Sequence, residues 1–377
     1  MERGKLSRKH VNTYSMIFLV LFMITGIGLI WYSYPPFFDF SVFWSASRLA
    51  LAHHASDAYD VSGLRAAVLA SYPYAKWEFG WYYPPTFYLT ILPVGLLPFF
   101  PAYLVFMLTT LCYFGEVLRR IIPGSGALWC LAASGTGLNI YTGQNGFLTA
   151  ALAGAALLSL ERRPVLAGFL IGLLVIKPHL ILLFPVALIA IGAWKTLFTS
   201  AAVALVFMAL ATAVLGVNTL MAWQHSLGYA MKLLEFNPPA WSLTPTVFAL
   251  LRQLGMPVMA AYMGHTFVAL GATVTVWKVW RTSSSQSLRY AALITATLLT
   301  SPYLYYYDLT WLALPMAWLT KLAQQGSWLP NERGILIVAW LLPLLMGLIF
   351  MIAPIQIQIG PLVLLALLWV ILRRVFW

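Results

Sequence analysis

The chain has 377 residues, 62% hydrophobic and 8% charged, against about 45–50% apolar and about 25% charged in ordinary soluble domains. That excludes a water-soluble globule and a polar disordered chain, and leaves a polytopic membrane protein. The net charge of +12 does not point to nucleic acid, because the basic residues cluster at the ends of apolar stretches, the pattern of cytoplasmic anchoring.

In chain order, the first apolar stretch, 14–34, follows Arg3, Lys5, Arg8 and Lys9. It lacks a small-residue cleavage site and has the length of a full crossing, about 20 residues, so it reads as a retained span starting in the cytoplasm. A more polar loop follows over 35–82, read as extracytoplasmic, in which 43–51 and 63–70 predict short amphipathic helices lying on the membrane. Pro84 after Tyr83 predicts an extended entry into the next element.

Apolar stretches then follow at 84–98, 100–118, 126–141, 144–160, 164–176, 179–194, 198–217, 257–278, 288–300, 309–322, 334–350 and 356–372. Basic groups at Arg119, Arg120, Arg162, Arg163, Lys195, Lys278, Arg281, Lys321, Arg373 and Arg374 place both termini inside and require an even number of crossings. The expected fold class is an all-α polytopic membrane protein with about 12 transmembrane helices, the surplus stretch failing to span near Pro98 or 143–146. The whole chain, 1–377, reads as one membrane-embedded domain, and the loops around 224–245 and 301–308 face the same side as the first loop. Cys112 and Cys130 lie in apolar stretches and read as small buried side chains.

Acidic residues are few, so each position is informative. Glu2, Glu116, Glu161 and Glu332 accompany basic residues and read as surface pairs, while Asp39, Asp57, Asp60, Glu78, Glu235 and Asp308 gather on the opposite face. Asp39 sits among aromatics just past the first span, where it can cap the following helix or, partly desolvated, act as a general base. Asp57 and Asp60 suggest a turn and cap before a helix near Val61; His53, His54 and Asp57 form only a weak metal pattern. Lys177, in Ile176-Lys177-Pro178-His179, lies against the positive-inside bias, so it either snorkels or holds an anion such as a lipid phosphate. Arg48, Arg65 and Lys76 can add to that charge. Asp308, after Tyr303 to Tyr307, can bind sugar hydroxyls with the tyrosines or cap a helix. Gln144 and Asn145 sit at a glycine-bounded break that can line a cavity, and Gln224 and His225 begin an outer loop.

The segments Asp39-Phe40-Ser41-Val42-Phe43-Trp44, Ser47-Arg48-Leu49, Ala58-Tyr59-Asp60, Tyr83-Pro84-Pro85, Thr142-Gly143-Gln144-Asn145, Lys177-Pro178 and Ser301-Pro302-Tyr303 through Asp308 together resemble glycosyltransferase family 87. The resemblance implies a GT-C fold in a bacterial inner membrane. It also implies inverting transfer of a sugar, typically mannose, from a polyprenyl-phosphate donor to a lipid or glycan acceptor on the extracytoplasmic face, without metal or cofactor. It makes Asp39 the matching general base and Asp308 the matching later aspartate. Lys177, His179, Arg48 and Lys76 are then the candidates for the donor phosphate; Asp308, Tyr307, Asp60, Gln144, Asn145 and His225 are those for sugar or acceptor. Two departures, His53-His54-Ala55 in place of a glycine-containing stretch and His179 in place of a frequent glutamine, bear on which sugar or acceptor is used. A transporter or flippase of lipid-linked sugars and a noncatalytic scaffold for polysaccharide assembly are the competing readings.

Overall fold

The computed structural model describes residues 36–71, 80–352 and 357–376. The first apolar stretch and Lys76 lie outside the described residues, which contain helices and turns and no strand.

The chain is a multi-pass all-α membrane protein, but the expected set of about 12 transmembrane helices is not what forms. Among the described residues only 4 helices are long and apolar enough to cross a bilayer: Phe99–Ile121, Trp194–Leu215, Val258–Thr282 and Glu332–Ile349. The reason is local. Apolar composition measures hydrophobicity, whereas a long helix also needs an unbroken ladder of amide donors, which proline removes while pushing its predecessor out of helical angles. The stretch 84–98 accordingly becomes the short helix Pro85–Ile91 and the 3-10 turn Leu92–Leu96, and 164–194 breaks at Leu174–Ile176 and Pro178–Leu180 on either side of Lys177.

In chain order the α-helices are α1 (Phe38–Leu51), α2 (Val61–Ser71), α3 (Pro85–Ile91), α4 (Phe99–Ile121), α5 (Ser125–Leu131), α6 (Ser134–Thr142), α7 (Gly146–Ser159), α8 (Pro164–Leu173), α9 (Phe184–Ala190) and α10 (Trp194–Leu215). After these come α11 (Val217–Phe236), α12 (Pro238–Leu243), α13 (Val247–Gln253), α14 (Val258–Thr282), α15 (Gln286–Thr300), α16 (Ala313–Gln325), α17 (Glu332–Ile352) and α18 (Gly360–Phe376).

Long and short helices differ in what covers them. α10 and α14 leave Phe198, Leu205, Val206, Met259, Met263 and Phe267 exposed, a surface that suits acyl chains. The short helices α7, α15 and α16 are buried almost throughout and form the centre of a core running from Phe40 to Ile371. α8 approaches α10 so closely at Gly168 and Gly172 that a Cβ there would run into the backbone oxygens of Thr196 and Ser200, the small-residue contact by which helices associate in lipid.

Three local expectations shift. α1 begins before Phe43 and is packed into the protein core: Phe40, Val42, Phe43 and Ala46 are buried, and the Ser47 hydroxyl donates to Ile91 O at 3.0 Å and accepts from Gly95 N at 3.0 Å. Gln224 and His225 belong to the middle of α11, not to a loop. Cys112 is exposed, whereas Cys130 is buried. Of the acidic residues expected to pair, Glu2 lies outside the described residues and the other three do so: Glu116 with Arg119 at 2.7 Å, Glu161 with Arg289 at 3.5 Å, and Glu332 with Arg374 at 2.6 Å. The last pair is not on the surface, since the Glu332 side chain is fully buried.

Candidate functional site

Three segments far apart in sequence converge on one point. The first is the turn between α6 and α7, where Gly143 adopts φ +75° and presses against Phe40 of α1, leaving no room for a side chain. The second is the turn 305–308. Asn139 ties the two together: its amide donates to Tyr307 O at 2.9 Å and to Gly135 O at 3.2 Å and contacts the Thr310 hydroxyl, while its Oδ1 accepts from Gly146 N at 2.9 Å. A fully buried asparagine with both ends satisfied fixes geometry at little net cost. The third segment is Tyr83, held by the Tyr59 hydroxyl on its carbonyl at 2.7 Å and by the rings of Phe43 and Phe87 at 5.4 and 4.4 Å. Its own hydroxyl donates to Gln144 Oε1 at 3.1 Å.

Lys177 and Asp308 are the charged centre. Lys177 Nζ donates to Asp308 Oδ1 at 2.6 Å, and both side chains are almost entirely buried. Asp308 Oδ2 accepts from Tyr305 N at 3.2 Å, so the same carboxylate caps the 3-10 helix Tyr306–Leu312, and His179 Nε2 stands 3.8 Å away. The ammonium also lies over the rings of Tyr307 at 4.6 Å and Tyr83 at 5.7 Å. Tyr305 and Tyr307 stack with centroids 5.6 Å apart. Burial by itself would raise the Asp308 carboxyl, but the charge and hydrogen bond of Lys177, with the His179 imidazole nearby, hold it below the usual carboxylate range.

Asp39 lies in the first turn of α1, whose N-cap is Phe37 in a left-handed conformation, so its carboxyl does not serve as the cap. Part of the residue faces solvent. The crowding of protein around its carboxyl nonetheless pushes it up to about 7, against hydrogen bonds from Gln144 and Thr142 and the charge of Lys177. Burial, followed by the two aspartates, raises the phenol of Tyr83; burial, followed by Tyr83 and then the aspartates, raises that of Tyr307. Burial and the same two charges push Tyr305 up to about 12. None of these groups lies on the four long apolar helices. The arrangement is therefore two carboxylates bracketing protonated phenols, one carboxylate ionised by a buried cation and the other poised near neutrality. Environments that drive two like groups apart in this way let one exchange protons while the other keeps its charge.

The remaining sequence candidates divide. Gln144 and Asn145 are buried beside Asp39 and Tyr83, and neither polar atom of the Asn145 amide is in a hydrogen bond. Arg48 is exposed and lies over the Trp44 ring at 4.9 Å. Asp60 accepts from Gly63 N at 2.9 Å and from the Ser62 hydroxyl, capping α2. His225 is exposed on α11. His54 Nδ1 stands 3.3 Å from Asp57 Oδ2, and no group of three or more metal-type side chains forms among the described residues.

The sequence reading took Tyr83 as an extended turn and a motif residue, grouped Tyr305 with the other tyrosines before Asp308, and overlooked Asn139. A signal was present for Asn139, since an amide inside the apolar stretch 126–141 must find partners when buried.

The family model of glycosyltransferase family 87 matches residues 81–302, more than half of the chain. The match includes Tyr83, Gln144, Asn145 and Lys177 and leaves Asp39 and Asp308 outside its bounds. No curated protein and no solved structure matches.

Proposed function

Because this chain belongs to glycosyltransferase family 87, we propose that it moves a sugar, with mannose the first candidate, from a polyprenyl-phosphate donor to a lipid or glycan acceptor. The transfer inverts the anomeric centre and takes place on the extracytoplasmic side of a bacterial inner membrane. The observation that carries this reading is the contrast between Asp39, poised near 7, and Asp308, held ionised against Lys177.

In this mechanism the acceptor hydroxyl lies within reach of the Asp39 carboxylate. Its oxygen attacks the anomeric carbon from the face opposite the phosphate, its proton passes to Asp39, and the bond from carbon to phosphate oxygen breaks with the electron pair leaving on the polyprenyl phosphate. A carboxylate that titrates near the working pH is available as a base and still basic enough to accept the proton. Phosphate departs without a general acid. Lys177 uses one ammonium proton on Asp308 Oδ1, leaving two for the developing charge, and His179, Tyr305 and Tyr307 present further donors on the same wall. Gln144 orients Asp39, and Tyr83 orients Gln144.

The test is transfer of label from radiolabelled polyprenyl-phosphate mannose, in the presence of a total lipid extract, by the purified wild type and by Asp39→Asn. The expected result is transfer by the wild type and a loss of about 10²–10⁴-fold in the variant. Absence of turnover with mannose, glucose and arabinose donors, in protein shown to be folded, overturns the reading.

A further inference from the structure

A cleft of about 360 Å3 opens between the 3-10 turn Ala55–Tyr59 and α11. It is built on the same peptide segment as the charged centre. Tyr82 lines the cleft, while its neighbour Tyr83 reaches Gln144. Both walls are pinned to that segment, one by Tyr59 donating to Tyr83 O at 2.7 Å and the other by Trp223 Nε1 donating to Tyr82 O at 3.2 Å. Tyr82 also lies within electrostatic reach of Tyr229 in the cleft and of Tyr305 in the centre. The cleft and the centre therefore adjoin.

The lining states what fits. Tyr82 and Tyr229 present stacked rings with centroids 6.4 Å apart and an interplanar angle of 25°. Around them stand the carboxylate of Asp60, the imidazole of His225 and the hydroxyls of Ser56 and Ser226. Among the described residues lining the cleft there is no lysine or arginine, which disfavours a phosphate or another anion. The density of hydroxyl and carboxyl groups disfavours an acyl chain, whose burial would strand them. An aromatic face bordered by hydroxyl-matching donors and acceptors suits a neutral sugar ring, apolar on its C–H faces and polar at its edge. A second recess, of about 500 Å3 with Ser62 and Arg65 on its wall, shares Asp60 and Val61 with the cleft.

We infer that this cleft binds a neutral oligosaccharide, the glycan end of the acceptor, with Tyr82 and Tyr229 as its stacking platform and Asp60, His225 and Ser226 as its polar contacts. The assignment rests on the transferase reading for the word acceptor, but the binding itself needs no donor. It also gives Asp60 and His225, which lie apart from Lys177, one location in common.

The experiment is equilibrium binding to the full-length protein in detergent, read by intrinsic tryptophan fluorescence and saturation-transfer NMR. The probes are α-linked mannotriose, maltotriose and cellotriose, with inorganic phosphate as competitor. The expected result is saturable binding of at least one trisaccharide, not displaced by phosphate and weakened about tenfold by Tyr229→Ala, the scale of one aromatic stacking partner. Tyr229 is 51% exposed, so the variant should keep the wild-type melting temperature; His225→Ala is the second probe and should weaken the same sugar. No saturable binding of any of the three sugars, displacement by phosphate, or binding indifferent to both substitutions overturns the inference. The two proposals fail separately. Sugar binding that depends on Tyr229 without transfer from any donor sinks the transferase reading and leaves the cleft, whereas transfer with an acceptor KM unchanged in Tyr229→Ala sinks the cleft alone.

Discussion

Asp39 and Asp308 are the same residue in walls of the same centre, and their surroundings drive them in opposite directions. Asp308 receives a buried ammonium at 2.6 Å, a backbone amide at 3.2 Å and a nearby imidazole, and stays ionised. Asp39 receives amide and hydroxyl dipoles and feels the charge of Lys177, and is pushed up to about 7 by burial. Burial alone therefore does not decide the protonation of a carboxylate; the number and charge of its donors does. In the proposed mechanism the structural role falls to the fully compensated group, and the chemical role to the incompletely compensated one.

The sharpest way to break this contrast is Asp308→Asn. It leaves the Lys177 ammonium buried without its counter-charge, a class of change that costs about 3–5 kcal/mol, and it should lower the melting temperature and the folded yield. The double variant Asp308→Asn/Lys177→Met should recover much of that loss, because it removes the stranded charge. If the single variant melts like the wild type, the pair does not hold the two segments together.

The pH dependence separates the two aspartates next. Asp39 must be deprotonated to accept a proton, so transfer should rise with pH through a midpoint near 7. Stability should follow the opposite course. A carboxyl raised on folding favours the protonated fold, a contribution complete below the ordinary carboxylate range and lost as pH rises toward 7. Asp39→Asn should flatten this stability trend, and Gln144→Leu, by removing a donor to the carboxylate, should move the activity midpoint upward. A midpoint that stays in place in Gln144→Leu removes the orienting role of Gln144.

The smallest effect is expected from Tyr83→Phe, which deletes one hydrogen bond to Gln144 and keeps the ring packed between Phe43 and Phe87. The loss should be about 1 kcal/mol in stability, with a modest change in kcat and an unchanged donor KM. A large rise in donor KM would instead place the phenol on the donor.

Which residues make up the centre was partly legible beforehand. Asp39, Lys177, Asp308, Gln144 and Asn145 stood out because ionisable or amide groups in so apolar a chain must be accounted for, and the structure brings them together. Arg48 stood out on the same ground and instead covers Trp44, since the face it occupies on α1 is a matter of packing. That Lys177 would meet Asp308, 131 residues away, rather than stand open to an anion was not legible, because nothing local marks the partner.

By itself the sequence determined the solvent class, the all-α character and which residues could bear charge chemistry, because hydrophobicity and ionisability are properties of the residues themselves. Tertiary structure alone decided that Gly143 and Asn139 draw the 142–145 and 305–308 turns together, and that one aspartate has its charge compensated while the other is left poised. Those outcomes depend on which turns meet and which donors the folded chain carries to each carboxylate, and both are settled by distances in space, whereas the proline breaks in the apolar stretches are fixed along the chain.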